Sequence, residues 1–318
     1  MLPPRFSVVI PLYNKEDSVA RAIDSVLEQS LGDFEIIVVD DGSTDAGADV
    51  VSRIPDPRVR LLRKPNGGVS SARNRGVSEA RGELVAFLDA DDAWRPNFLE
   101  VISSLAARHP SAGAYGTAFE IVEPDGRRRV SRVAGLRGRE DADALVDDYF
   151  REALSGFVLW SSAAAVPKRT FEEVGGFPLG VALGEDLDMW LRIGARFPVA
   201  VSGYVGSVYH KEASNRADAG RRKGFEFPHV RTGLRLLASA DLAPARRENM
   251  REYVSLYQIM TAAQMVLAGR RGEAREVLRA CRTRKFLPRK LWWRLWASLP
   301  TSAALGAQRI KRRLAGAA

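Results

Sequence analysis

The strongest constraint on the fold is a run of apolar residues, Leu84 to Leu88, that passes without a spacer into Asp89, Ala90, Asp91 and Asp92. A short continuous apolar run reads as a strand covered on both faces, as an inner strand of a parallel sheet is. The acids at its end repel one another, and clustered carboxylates of this kind need a cation or a chemical task. In an open α/β sheet, ligands bind beyond the carboxyl ends of the strands. The alternative is a polar loop before the helix near Pro96, with Asp92 as its cap.

The same alternation fills the N-terminal part. Phe6 to Leu12 and Glu35 to Val39 read as buried strands, and Val59 to Leu62 as a short third. Val19, Ile23, Val26 and Leu27 share one face of a helix ending near Gln29, capped by Asn14, Asp17 or Ser18. Val69 to Ala80 reads as another helix, after the break at Pro65, Asn66, Gly67 and Gly68. Strand and helix in alternation predict βαβ units and a parallel sheet. Right-handed crossovers leave the carboxyl ends of such strands on one edge. The acidic turn Asp40 to Asp45 and the acids Asp89 to Asp92 are therefore expected to face one crevice.

The second half is mixed. Ala114 to Val122 and Arg128 to Val133 read as strands around a turn at Pro124, Asp125 and Gly126. Asp141 to Leu154 is expected to be helical, and Phe157 to Val166 extended. Leu187, Trp190, Leu191 and Gly194 repeat at helical spacing. Glu185 and Asp186 open that helix, where the dipole favours anions, so capping alone is one reading of them. Val199 to Tyr209 is expected to be extended and to lead to His210. After about Phe225 the pattern is helical, which predicts a domain over 1–225 and a helical C-terminal region over 226–318.

Composition narrows the class. A hydrophobic content of 46% and a charged content of 27% fit a globular protein. The single cysteine, Cys281, excludes an internal disulfide framework and a cysteine-rich zinc site. Met1 to Arg5 lacks a charged segment followed by a long apolar run, and no stretch reaches the ~20 apolar residues that span a bilayer. The expected location is cytoplasmic. The net charge of +9 is uneven: from Arg270 onward, 14 Lys and Arg face only Glu273 and Glu276, so the remainder is net acidic. Leu291, Trp292, Leu295, Trp296 and Leu299 fall on one helical face with Lys290 and Arg294 opposite, and Lys285, Arg289, Arg309, Lys311, Arg312 and Arg313 add charge. Basic residues beside Trp and Leu suit a helix lying in an anionic bilayer interface. Ordinary packing of a C-terminal helix is the other reading, and no nucleic-acid module accompanies the charge.

Several motifs now stand in order: Val9 to Asn14, Val39 to Asp45, Ala72 to Gly76, Phe87 to Asp92, and Glu185-Asp186 ahead of Trp190. In this order the chain, over roughly residues 5–215, resembles the inverting family 2 glycosyltransferases, which have the GT-A fold. The resemblance implies an α/β, Rossmann-like and mostly parallel central sheet, with a helical C-terminal extension here. It implies transfer of a sugar from a nucleotide-diphosphate donor to a glycan or lipid-linked glycan hydroxyl, as in cell-surface polysaccharide synthesis.

The resemblance also implies roles. Departure of the diphosphate builds negative charge that a hard dication, Mn²⁺ or Mg²⁺, stabilises through oxygen ligands. Asp91 is then the expected direct ligand, with Asp89 on the ribose or a metal-bound water. His210 is either a third ligand or a histidine satisfied at a strand end. Pro11, Tyr13, Asn14 and Asp41 would line the base pocket, with Asp89 and Ala90 beside the donor. A carboxylate at Asp41 accepts from an imide N–H, which favours uracil or thymine, although guanine also offers a donor edge. Arg73 is either near the donor or a solvated helical charge. Asp186, with Glu185 beside it, is the implied base that takes the acceptor proton. The chain lacks Gly-x-Gly-x-x-Gly after its first strand and a P-loop lysine, so a dinucleotide dehydrogenase and a P-loop NTPase are excluded. A sugar-nucleotide-binding or membrane scaffold protein without transfer is the alternative function.

Overall fold

The computed structural model describes residues 3–136, 142–181, 183–211, 227–238 and 242–299. The chain divides into two compact units, Met1–Ala217 and Asp218–Ala318.

The first unit begins with β1 (Phe6–Leu12), α1 (Val19–Leu27), β2 (Phe34–Asp40), α2 (Gly47–Ser52), β3 (Val59–Arg63), α3 (Val69–Glu79) and β4 (Leu84–Phe87). A two-residue β5 (Ala93–Trp94), α4 (Phe98–Arg108), β6 (Ala114–Val122), β7 (Arg128–Ser131) and β8 (Asp143–Val146) follow. It closes with α5 (Tyr149–Ala153), β9 (Ala164–Pro167), α6 (Lys168–Val174), α7 (Glu185–Arg196) and β10 (Val199–His210). One sheet takes the order β3-β2-β1-β4-β9-β6-β10-β5, with β7 added on β6 and β8 on β10. The β3-β2-β1-β4 half is parallel, and β9 enters antiparallel between β4 and β6. The run Leu84 to Leu88 is buried throughout, as its unbroken apolarity requires. On α1, Val19, Ala22, Ile23 and Val26 are buried against the sheet, one face at helical spacing. Ser18 occupies the N-cap position of α1 but makes no side-chain cap bond.

Two expected elements are corrected. Residues 143–146 form an edge strand antiparallel to β10, and the helix starts only at Tyr149. The reason is local: the Asp148 carboxylate caps the Phe150 and Arg151 N–H groups and fixes the helix start there. Within 157–166 only the last residues are strand. Ser161–Ala163 forms a single 3₁₀ turn, because Ser162 bends in to accept the Trp94 indole N–H on its carbonyl, at 2.7 Å. Asp92 is not a helix cap, since Asn97 holds that position for α4.

The second unit contains α8 (Pro228–Ala238), α9 (Pro244–Leu267), α10 (Arg271–Ala280) and α11 (Leu287–Ser298). Ile259, Met265, Leu278, Cys281 and Ala297 form its core, with Trp293 and Trp296 packed on it. Among the described residues, no helix is long and apolar enough to cross a membrane.

Candidate active site

The parallel register sets Leu12 beside Asp40 and Val9 beside Phe87, so the loops after β1, β2 and β4 leave one sheet edge. That is where the sequence placed the two acidic turns. The β1 and β2 loops are stitched together by short polar contacts. Asn14, at φ 51°, accepts the Thr44 N–H on its side-chain oxygen (2.8 Å) and donates its own N–H to the Ser43 hydroxyl (3.1 Å). Asn is among the few residues that tolerate this left-handed conformation. Asp40 accepts the Ser43 N–H. Pro11 is half-buried at the end of β1, while Tyr13 is exposed at the loop tip.

Asp41 is almost fully buried. Its Oδ1 accepts from the Lys64 ammonium and the Gly67 N–H (3.0 Å), and its Oδ2 accepts the Gly68 N–H (2.7 Å). A carboxylate has about four acceptor positions. Among the described residues, the one without a partner is on Oδ2. Gly68, at φ +84°, supplies a backbone conformation that places this N–H without steric cost.

The acids after β4 have three different environments. The Asp91 carboxylate pairs with Lys15 Nζ at 2.7 Å, and its carbonyl accepts from Arg21 at 2.7 Å. The Asp89 carboxylate accepts from Arg73 at 2.7 Å. Asp92 is 1% exposed and accepts the His210 N–H, while its Oδ2 has no partner among the described residues. Burial pushes its carboxyl well above the usual range, and Asp91 and Asp89 add to the shift. The Ser162 hydroxyl accepts the Asp89 N–H at 3.2 Å, and its effect on the Asp92 carboxyl opposes that upward shift. Ala90 is buried in the core between them.

Arg73 is the centre of the arrangement. It is 2% exposed, donates to Asp89 and, at 2.8 Å, to Glu185, and lies over the Phe177 ring. It is therefore not a solvated helical charge. Burial alone would lower its pKa, but the Asp89 and Glu185 carboxylates outweigh that and raise it. Through this guanidinium the start of α7 is tied to the end of β4. Two further clamps fix the loop ahead of α7 and the helix itself. The Asn74 amide donates to the Phe177 carbonyl and accepts the Phe177 N–H, both at 2.8 Å. Arg192, held by Asp188 at 2.7 Å, donates to the carbonyls of Val174, Gly175 and Gly176. Gly76 completes the Ala72 to Gly76 motif, since a Cβ there would lie 2.3 Å from the Val9 side chain.

Glu185 spends its carboxylate on Arg73, whereas half-buried Asp186 accepts, among the described residues, only its neighbour's N–H, from Leu187 at 2.7 Å. Burial and then Glu185 push the Asp186 carboxyl up to about 7, against the pull of Arg73. A carboxylate titrating there is matched to proton transfer near neutrality.

Among the described residues, no three His, Cys, Asp or Glu side chains form a metal-holding group. Asp89, Asp91 and His210 thus make no preformed cage, because Asp89 and Asp91 are turned onto Arg73 and Lys15. The donors still fit a hard dication that arrives with its substrate. Such ions take one or two carboxylates and fill the remaining positions with phosphate and water oxygens. Sequence reasoning missed Lys15, Arg21, Lys64 and Ser162. Lys15 and Lys64 adjoin motifs already singled out, while Ser162 and Arg21 carried no signal of their own.

Residues 7–175 match the model of the glycosyl transferase family 2. The chain is 42% identical over 127 residues to the succinoglycan biosynthesis protein ExoO of Rhizobium meliloti, covering 39% of this chain and 36% of that protein. It is 37% identical over 125 residues to the chondroitin synthase of Pasteurella multocida, covering 39% of this chain and only 13% of that one. These matches span well under two thirds of either relative. In structure, Staphylococcus aureus TarS 1–349, crystallised with UDP-GlcNAc, superposes with a TM-score of 0.70 at 19% identity, covering 92% of this chain and 88% of TarS. That likeness identifies the fold as GT-A. With more than half of its length matched, the chain belongs to glycosyl transferase family 2.

Proposed function

We propose that the first unit is a nucleotide-sugar-binding and catalytic domain. It transfers a sugar, with inversion, from a nucleotide-diphosphate donor to a hydroxyl of a glycan or lipid-linked glycan during polysaccharide synthesis at the cytoplasmic side of the cell envelope. The observation that carries this reading is the Arg73 bridge. It sets a lone, raised-pKa carboxylate, Asp186, on the same charged network as the donor-side acid Asp89.

Asp186 takes the proton of the acceptor hydroxyl as its oxygen attacks the anomeric carbon. The sugar–phosphate bond breaks on the opposite face, and the nucleoside diphosphate leaves with the bonding pair. Glu185 is held by Arg73 and orients the pair instead of taking the proton. Asp91, with Asp89, would hold Mn²⁺ or Mg²⁺, which supplies positive charge to the leaving diphosphate. Lys15, beside Asp91, adds charge of the same sign. The open acceptor position on Asp41 suits a single imide N–H, which supports a UDP-sugar. Phe157, Trp160 and Tyr209 cluster close to Ser162 and His210, with Phe157 48% exposed. Aromatic faces of this kind stack on the apolar C–H faces of sugars, which supports a carbohydrate acceptor.

The test is nucleotide release from a panel of UDP- and GDP-sugars with Mn²⁺, with and without glycan acceptors. Release from a UDP-sugar, abolished by chelation, is the expected result. Asp186→Asn is expected to bind donor and lose transfer; a fully active variant would remove the assigned base.

A further inference from the structure

The C-terminal basic helix is neither wholly packed nor wholly free. On α11, Trp293, Trp296 and Ala297 turn inward against α9 and α10. Lys290 is fixed as well, donating to the Cys281 carbonyl. The opposite side leaves Leu287, Leu291, Trp292 and Leu295 exposed, at 44%, 51%, 55% and 56%. Residues 287, 291 and 295 are successive turns of one helix, and Trp292 lies against the last of them. The stripe is therefore continuous, and no other described helix exposes so many large apolar side chains. Trp296 thus belongs to the core-facing side, not to the outer face that the periodicity alone assigned to it.

Cations frame the stripe. Arg284, Lys285, Arg289 and Arg294 are exposed, and among the described residues none of their side chains is ion-paired. No acidic residue occurs after Glu276. Arg309, Lys311, Arg312 and Arg313 extend the basic sequence but lie outside the described residues.

We propose that this face of α11 docks on the surface of an anionic lipid bilayer, with the helix axis in the plane of the interface. Leu287, Leu291 and Leu295 enter the acyl boundary, Trp292 sits at headgroup level, and the surrounding guanidinium and ammonium groups pair with lipid phosphates. Charge decides the occupant. A second copy would bring the same cations against this face and be repelled, whereas an anionic leaflet presents both apolar depth and negative charge. The helix does not span, because its inner face is already used by the core of its own unit. This inference is independent of the transfer reaction, since it is read without any donor.

The experiment is co-sedimentation of the full chain with vesicles of phosphatidylcholine alone or mixed with phosphatidylglycerol. The wild type is expected to bind only the mixed vesicles, less at high salt. The triple substitution Leu291→Ala, Trp292→Ala, Leu295→Ala is expected to weaken partition at least about tenfold. Arg289→Glu with Arg294→Glu is expected to do the same. All these side chains are exposed, so an unchanged unfolding midpoint serves as the folding control. Failure of the wild type to bind mixed vesicles overturns the proposal, as does equal binding by the triple variant. A wild-type dimer that the triple variant converts to monomer also overturns it, assigning the face to a protein contact.

Discussion

Replacing Arg73 with Met tests whether one guanidinium holds the two halves of the site together. Met keeps much of the stem volume and removes the charge. The change strands the Glu185 and Asp89 carboxylates, whose side chains are 11% and 30% exposed. Breaking a buried pair costs about 3–5 kcal/mol, and partial solvation of Asp89 places the expected loss at the low end, about 3 kcal/mol. For a unit of this size that corresponds to a melting-temperature drop of roughly 6–12 °C. A second effect is chemical. Arg73 is the charge that pulls the Asp186 pKa down, so without it Asp186 stays protonated to higher pH. The acid limb of kcat/KM should therefore move to higher pH. The assays are a thermal melt and a pH–rate profile of donor turnover. Arg73→Lys should recover part of the stability and the limb position, but not all, because an ammonium cannot fork to both acids in the guanidinium's geometry. A Met variant that melts within about 1 °C of wild type, with an unmoved acid limb, refutes the bridge.

In wild type, kcat/KM should fall below about pH 7 with a slope of one proton, because the proposed base, Asp186, must be ionised and burial, with Glu185, raises its pKa to about 7. Asp186→Asn should stabilise the fold by about 1–2 kcal/mol above pH 7, after discounting for its partial exposure. The folded pKa exceeds the unfolded one, so the penalty that Asn removes is absent below about pH 4 and complete above about pH 7; urea melts at both pH values check the sign. Gly76→Ala should destabilise by about 1–3 kcal/mol through the clash with Val9, read by the same melts. Asn74→Ala should cost about 1–3 kcal/mol, because the Phe177 N–H and C=O lose their partners, and should lower kcat more than it raises donor KM.

Which features were legible follows from how far their causes extend along the chain. The buried strands and α1 are written in local periodicity, and burial of Leu84 to Leu88 or of Val19, Ile23 and Val26 needs no distant partner to be read. The common edge for the two acidic turns was legible because crossover handedness is a general rule, not a property of particular residues. Strand β8 reads as helix in the sequence because Ala144 and Leu145 are compatible with either state, and what decides is pairing with β10, over 50 residues later. The role of Arg73 was hidden for the same reason: Glu185 is 112 positions away. Asp92 looked like a cap by its place before a helix, yet the turn through Asp89 and Ser162 buries it instead.

The distribution of charge around the site gives the acids separate environments. Glu185 and Asp186 are adjacent and at one helix start, so sequence alone offers no reason to prefer either as base. The folded chain breaks that symmetry by direction: Glu185 points onto Arg73 and is neutralised there, while Asp186 has no ion-pair partner among the described residues. Burial first, and then the negative charge of Glu185 beside it, raise the pKa of Asp186, and no pairing of its own among the described residues offsets them. The same division separates Asp89, which shares Arg73, from Asp91, which faces Lys15. One guanidinium thus serves one acid from each side, and the proposed function gives the other two their tasks: Asp91, paired with Lys15, toward the diphosphate and Asp186 toward the incoming hydroxyl. A substitution that re-pairs these charges, such as Glu185→Gln, should release Arg73 toward Asp186 and lower its pKa, moving the acid limb of the rate profile down. An upward or absent shift would show that Asp186 does not draw on this network.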